Sequence, residues 1–160
     1  MGFFSKLFKW DDKAPPNSQL PSQLQQSELG LDAKAASAVL AELDIDKAIA
    51  AHENWKARLQ KRLDGTSDEV LDPAVVCLDN RCDLGKWLHG PGNKRLGHYP
   101  AFTVLIARHQ YFHQQASTVV TQTQAGDLAG AEKTLNGPFK YGSSQVVLLL
   151  KEMKRGLGQG

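Results

Sequence analysis

The chain has 160 residues, of which 41% are hydrophobic, so it is long enough for one compact core but too short for two well-built domains with linkers. Its 19 basic and 17 acidic side chains leave a net charge of +2, without the basic stripe that a nucleic-acid backbone requires. The composition therefore predicts one domain with a tail and argues against nucleic acid as a partner.

The first thirty residues differ from the remainder of the chain. Residues 1–10 carry apolar side chains at helical spacing, namely Phe3, Phe4, Leu7 and Phe8. This short amphipathic start could make a weak contact with a membrane surface or dock into a groove. Residues 11–30 are rich in Pro, Ser and Gln, which is typical of a flexible linker. We therefore predict that the folded domain covers residues 31–156.

The N-terminal sequence has no apolar core of a secretory signal, and no later stretch reaches the roughly 18 apolar residues of a membrane span. Cys77 and Cys82 are the two cysteines, and five residues apart on one predicted helix they are poorly placed for a disulfide. We expect a cytoplasmic location, where an unpaired cysteine is free to bind a metal or react with an oxidant.

Residues 31–43 are rich in alanine and predict a lead-in helix with a small apolar face. A clear helical period then begins after Asp44, which can cap the helix, and ends at Gly65. Its inward stripe consists of Ile45, Ile49, His52, Trp55, Leu59 and Leu63. This is the predicted first core helix.

The second predicted helix begins at Asp72-Pro73 and ends at the Gly90-Pro91-Gly92 break. Its inward face consists of Val75, Leu78 and Cys82. The third begins at Pro100 and ends near Gly126, and its stripe is the longest: Phe102, Leu105, Ile106, His109, Phe112, His113, Ala116 and Val120.

A short helix with Leu128, Ala131 and Leu135 is predicted to close at Gly137-Pro138. A final helix, ending at Gly156, carries the apolar residues Val146, Leu149, Leu150 and Met153. No segment of the folded part alternates with period 2 for long enough to indicate a strand. We therefore predict an all-α fold, an antiparallel four-helix bundle with an additional short helix.

Histidines occupy positions on these stripes where apolar residues are expected. His109 and His113 are four residues apart, so their imidazoles project from one face of the helix and can bind a single ion. His52 and Cys82 face inward from the first two predicted helices. Cys77 is rotated by about 140° from Cys82 on a helix, so we interpret it as an ordinary packed cysteine. Any one of these residues taken singly is more often a packed, hydrogen-bonded core residue than a ligand.

Three segments resemble the chemoreceptor zinc-binding (CZB) domain family. They are Ala51-His52-x-x-Trp55-Lys56, Cys82-Asp83-Leu84-Gly85-Lys86-Trp87-Leu88 and His109-Gln110-Tyr111-Phe112-His113. They occur in the family's order and with similar gaps, and the resemblance covers about residues 43–153. It implies a helical bundle that binds Zn²⁺ through three histidines and one cysteine, here His52, Cys82, His109 and His113.

The resemblance also implies a bacterial signalling module, in a chemotaxis or cyclic-di-GMP pathway, that responds to zinc or to oxidants and forms a homodimer. The chain has neither the long heptad hairpin of a receptor nor a cyclase signature. We therefore expect a separate signalling protein as the output partner.

Four protein ligands close the zinc shell and leave no position for a reactive water, and Gln110 stands where an HExxH motif has its general base. We therefore predict that the protein is not an enzyme. The thiolate of Cys82 is instead the site that an oxidant would attack, which suggests a redox switch.

Two alternatives remain at this point. The first is a structural zinc bundle that serves as a protein–protein interaction or dimerisation module. The second is a haem or di-iron bundle, but the Glu-x-x-His pairs of iron carboxylate sites are missing from the stripes.

Several residues near the predicted ligands have supporting interpretations. Gly85 is expected to allow a close approach to the site, and Trp55 and Trp87 are expected to pack around it. His89 and His98 flank a loop and are interpreted as surface residues.

Overall fold

The structure, a computed structural model, describes residues 33–158. All of the regular structure in this range is helical, which confirms the predicted all-α class. The helices are α1 (Ala33–Glu42), α2 (Ile45–Leu63), α3 (Pro73–Val76), α4 (Asp83–His89), α5 (Pro91–Leu96), α6 (Pro100–Gln124), α7 (Leu128–Thr134) and α8 (Lys140–Gly156), with a π-helical turn (Leu135–Phe139) between the last two. The amphipathic start and linker predicted for residues 1–30 lie outside the described residues.

The three long helices α2, α6 and α8 pack against one another and enclose most of the core. The short helices α3, α4 and α7 also pack on α6, while α1 contacts α5. The antiparallel four-helix arrangement stays a prediction. In the described part of the chain, no helix is both long and apolar enough to cross a membrane.

Helices α2 and α6 follow the sequence pattern closely. The side chain of Asp44 accepts a hydrogen bond from the backbone N–H of Lys47 at 2.9 Å and so caps α2. Gly65 has a φ of +68°, a conformation that glycine adopts without strain, just after the end of α2. Pro100 is the first residue of α6, where its missing N–H costs nothing. These two helices were predicted correctly.

The single helix predicted from Asp72-Pro73 to Gly90 is wrong. The chain forms two short helices there, α3 and α4, joined by an irregular segment at residues 77–82. The break coincides with a second helix start, because the sulfur of Cys82 accepts the backbone N–H of Gly85 and caps α4, whereas Asp72 caps the beginning of α3 as expected. Val75, predicted to face inward, is 53% exposed.

The helix end predicted at Gly137-Pro138 is also wrong, because the chain stays helical through the π-helical turn and into α8. A proline has no N–H to donate, and one wider turn accommodates this without stopping the helix. Leu135 and Phe139, at the two ends of that turn, are fully buried. The core therefore holds the turn in place, whereas Leu128, predicted to be part of the same apolar face, is exposed.

Candidate metal centre

The structure brings together the four side chains that the sequence singled out. One ligand atom from each lies within 4.8 Å of those of the other three. They are supplied by His52 of α2, by Cys82 at the start of α4, and by His109 and His113 of α6. The three histidines are 3%, 0% and 4% exposed, respectively, and Cys82 is half-buried.

Backbone carbonyls fix the tautomer of two of these imidazoles. The Nδ1–H of His52 donates to the carbonyl of Ala48 at 2.7 Å, and the Nδ1–H of His113 donates to that of Val76 at 2.8 Å. A carbonyl can only accept, so Nδ1 carries the proton and Nε2 keeps its lone pair. This is the support that metal-binding histidines usually have.

Two buried nitrogens of these histidines have no hydrogen-bond partner. His52 Nε2 and His109 Nδ1 are buried without a hydrogen-bond partner. Cys82 Sγ lies 3.3 Å from His109 Nε2 and 3.7 Å from His113 Nε2. An unsatisfied buried polar atom costs about 1–3 kcal/mol, and a cation bound by His52 Nε2 would remove that cost at this atom. The donor set of three imidazoles and one thiol fits tetrahedral Zn²⁺.

Burial keeps the histidines neutral. The pKa of His52 is lowered to about 4, mainly by burial and also by the charge of His113, although the hydrogen bond to Ala48 raises it. Burial also lowers the pKa of His109 to about 2, with added repulsion from His113 and His52. The pKa of His113 is lowered by burial as well. At neutral pH these imidazoles need lose no proton before they bind a metal.

The thiol of Cys82 is in the opposite situation. Burial raises its pKa, and the nearby carboxylates of Asp83 and Asp79 raise it further, while the backbone N–H groups of Gly85 and Leu84 oppose them. The N–H of Gly85 lies 3.3 Å from the sulfur. Without a cation the thiol therefore stays protonated at neutral pH, and a bound zinc ion supplies the positive charge that holds it as a thiolate.

Asp79, which the sequence analysis missed, connects the cluster to the surface. Its Oδ2 lies 3.7 Å from Nδ1 of His109 and 2.7 Å from Nε2 of His89. His89 is exposed, as predicted, yet it holds this carboxylate in place. No periodicity marks Asp79, because it belongs to the irregular segment before Cys82. Its residue type was the available signal, since a carboxylate often accepts from the second nitrogen of a ligating histidine.

Gly85 packs more tightly than predicted. A Cβ placed on it would lie 1.7 Å from the carbonyl oxygen of Asp79, so only glycine fits between α4 and the irregular segment. Trp55 packs edge-on against His113 and Phe112, as expected of a residue that flanks the site.

The other candidates are not members of the cluster. Trp87 is buried and packs edge-on against Phe102. Cys77 is outside the cluster, with its thiol donating to the carbonyl of Ala74. His98 is exposed and stacks near Tyr99.

The family model described as the chemoreceptor zinc-binding domain matches residues 52–120. Residues 52–120 are similar to the CZB domain. The match confirms the resemblance seen in the sequence, and it spans all four clustered side chains. No curated protein and no solved structure matches the chain significantly.

The CZB domain is a zinc-binding domain of sensory and regulatory proteins, and the histidine–cysteine cluster is close enough to coordinate a metal ion. The predicted cofactor, Zn²⁺, is thereby confirmed. The matched segment ends within α6, so α7 and α8 follow the segment that the family model covers.

Proposed function

We propose that this CZB domain binds one zinc ion through His52, Cys82, His109 and His113 and acts as a sensing module in bacterial signalling. The observation that carries the proposal is the convergence of three buried imidazoles and one thiol, with two imidazole tautomers already fixed by backbone carbonyls. Without a cation, a cluster of this kind leaves buried polar atoms unsatisfied, which destabilises the fold. Its imidazoles are already oriented with their lone pairs available for a metal ion.

Zinc content of the purified full-length chain tests the ligand set. We expect close to one zinc per chain in the wild type and loss of tight binding in Cys82→Ser and His113→Ala. Serine keeps an oxygen that can cap α4, so Cys82→Ser removes the thiolate while preserving the helix start. The matched controls are Cys77→Ser and His98→Ala, which should keep the zinc. A zinc-free wild type, or equal loss in the controls, would refute the ligand assignment.

We further propose that Cys82 is a redox switch. A half-buried thiolate can be reached by a small oxidant, whereas a fully buried one cannot. Hypochlorous acid would oxidise it by two electrons, forming an S–O bond as chloride leaves: Cys–S⁻ + HOCl → Cys–SOH + Cl⁻. The sulfenic acid is a poorer metal ligand than the thiolate, so the site would lose one of its four ligands.

The contacts of α4 supply a route from Cys82 to α1. The sulfur that would be oxidised also caps α4. Further along α4, the indole N–H of Trp87 donates to Glu42 of α1 at 3.4 Å, and Arg95 of α5 forms an ion pair with the same carboxylate. Loosening the start of α4 would therefore disturb the contacts that hold α1, the first helix of the described residues.

Hypochlorous acid titration of the zinc-loaded protein tests the switch. We expect zinc release together with faster amide hydrogen exchange in α4 and α1, and no such change after an equal dose of chloride. Unchanged zinc content and unchanged exchange would leave the alternative, a structural zinc bundle that mediates protein–protein interaction or dimerisation. The cysteine modification should be located by mass spectrometry, with Cys77→Ser as the background that isolates Cys82.

The remaining parts of the proposal concern the setting. We propose a non-enzymatic, cytoplasmic module that acts as a homodimer with a separate signalling protein, in a chemotaxis or cyclic-di-GMP pathway. The two free cysteines suit a reducing compartment. Light scattering at several protein concentrations, with and without zinc, tests the homodimer directly.

A further inference from the structure

A groove of about 480 Å³ leads from the surface to the metal centre. Its outer lining includes the exposed residues Asp44, Lys47 and Asp83, and its inner lining includes the buried His52 and the half-buried Cys82. The groove runs between the start of α2 and the start of α4. It therefore connects solvent with two of the four proposed ligands.

The groove carries a negative charge at its mouth. The carboxylates of Asp44 and Asp83 line it together with the single ammonium group of Lys47. Glu42 also lines the groove, but its carboxylate is paired with Arg95, so the excess negative charge comes from the two aspartates. A concave surface with an excess of one charge raises the local concentration of ions of the opposite sign. This lining favours a divalent cation over an anion of similar size.

The inner end of the groove has an imidazole nitrogen whose lone pair has no partner. His52 is 3% exposed, and its Nε2 has no hydrogen-bond partner. Its Nδ1–H is committed to the carbonyl of Ala48, so Nε2 presents a lone pair. An incoming cation would thus meet carboxylates first and an imidazole nitrogen at the end.

We propose that this groove is the route by which the zinc ion enters and leaves the site. The inference rests on the proposed zinc ligands and adds to them a path and a charge preference. Ala51 is exposed and lines the groove beside His52, so a bulky side chain at this position would obstruct the path without replacing a ligand. Ala50, also exposed on α2, does not line the groove and provides the matched position.

The obstruction experiment compares Ala51→Phe with Ala50→Phe in the zinc-loaded full-length protein. The release rate constant is measured with excess chelator, the dissociation constant by competition, and the association rate constant is obtained from their ratio. We expect Ala51→Phe to slow release and association by the same factor, about tenfold, which corresponds to a barrier higher by about 1.4 kcal/mol. The dissociation constant should not change, because a path affects both directions equally.

The charge experiment compares Asp44→Asn with Asp127→Asn. Both aspartates cap helices, α2 and α7, and asparagine caps as well as aspartate, so the two variants differ in whether the lost charge lines the groove. We expect Asp44→Asn alone to slow association about threefold at low ionic strength, with the difference disappearing at high salt.

Three outcomes separate the claims. A wild type that binds no zinc would refute the proposed function itself. Normal zinc affinity with release unchanged in Ala51→Phe would refute the route and leave the ligand set standing. An altered dissociation constant with unchanged association would show that the phenylalanine acts on the bound state, which would also overturn the route.

Discussion

The histidines of the centre are set up for metal binding before any metal arrives. Two of them have Nδ1 committed to a backbone carbonyl, and burial disfavours the protonated form of all three. Cys82 differs, since burial keeps its proton on. The cluster therefore contains three neutral imidazoles, which can bind a metal directly, and one thiol, which must first lose its proton.

This division predicts how many protons zinc binding releases. At pH 6.5, three ordinary histidines would together carry about 1.5 protons, which zinc would have to displace. In this protein the pKa of His52 is about 4 and that of His109 about 2, so at that pH both are already neutral in the folded state. Because the pKa of Cys82 is raised, its thiol supplies one proton.

We expect the release of about one proton per zinc from pH 6.5 to pH 7.5, measured by calorimetry in buffers of different ionisation enthalpy. In the Cys82→Ser variant the count should fall towards zero at the zinc concentrations that still give binding. A wild-type count of two or more at pH 6.5 would contradict the neutral histidines.

Asp79 gives a second prediction at this scale. Its carboxylate lies near His109 Nδ1, the buried nitrogen without a hydrogen-bond partner, and is held by His89. We expect Asp79→Asn to weaken zinc affinity about tenfold, because the amide has no charge to orient and polarise the imidazole. Competition with a chelator measures this change. Asp68→Asn, in the exposed segment between α2 and α3, is the control, and an equal effect there would rule out a specific role for Asp79.

At the scale of elements, the helices with strong periodicity were predictable and the irregular connections were not. Helices α2 and α6 carry long apolar stripes with clear end signals, so the inward direction of His52, His109 and His113 could be read from the sequence. The break before α4 could not be predicted. Val75, Leu78 and Cys82 have helical spacing, and neither the capping by the Cys82 sulfur nor the close contact between Gly85 and Asp79 alters that periodicity.

The contact at Gly85 has a measurable consequence. A methyl group there would collide with the backbone of Asp79, so the irregular segment before Cys82 would have to move. We expect Gly85→Ala to destabilise the fold by about 1–3 kcal/mol and to weaken zinc binding. Chemical denaturation and chelator competition measure the two effects.

Gly137→Ala is the matched control, because apart from its two chain neighbours nothing lies within 4 Å of a Cβ at that position, which precedes Pro138. There we expect the free energy of unfolding to change by less than about 1 kcal/mol, because the helix propensity of alanine is offset by the contact of its Cβ with the following proline ring. A Gly85→Ala variant as stable as the wild type would show that the irregular segment before Cys82 can move away from α4 without loss of stability.

For the whole molecule, the metal centre joins parts of the chain that are far apart in sequence. Helix α2, the start of α4 and the middle of α6 meet at the cluster. The sequence could predict that His52, His109 and His113 face inward, and the family resemblance indicated that Cys82 belongs with them. The groove that opens beside His52 depends on how α2 and α4 pack, and nothing in the sequence pattern indicated it.

A ligand that binds only the folded chain stabilises it by an amount set by its concentration. We expect zinc at about 100 times its dissociation constant to add about 2.7 kcal/mol to the free energy of unfolding. Thermal unfolding of the zinc-loaded and chelator-treated protein measures this, and His113→Ala should lose most of the difference. If the wild-type melting temperature were the same with and without zinc, the metal would not bridge the helices.

The sulfur of Cys82 both caps α4 and belongs to the proposed metal centre. A substitution at this one position can therefore keep the cap and a metal ligand while removing the oxidisable atom. A carboxylate is a good helix cap and a common zinc ligand, yet it has no sulfur to oxidise. Cys82→Asp should therefore give a protein that folds and holds zinc, more weakly, but keeps its metal in hypochlorous acid. Such a variant would bind zinc without responding to oxidants, and in living cells it would distinguish responses that depend on oxidation from those that depend on zinc.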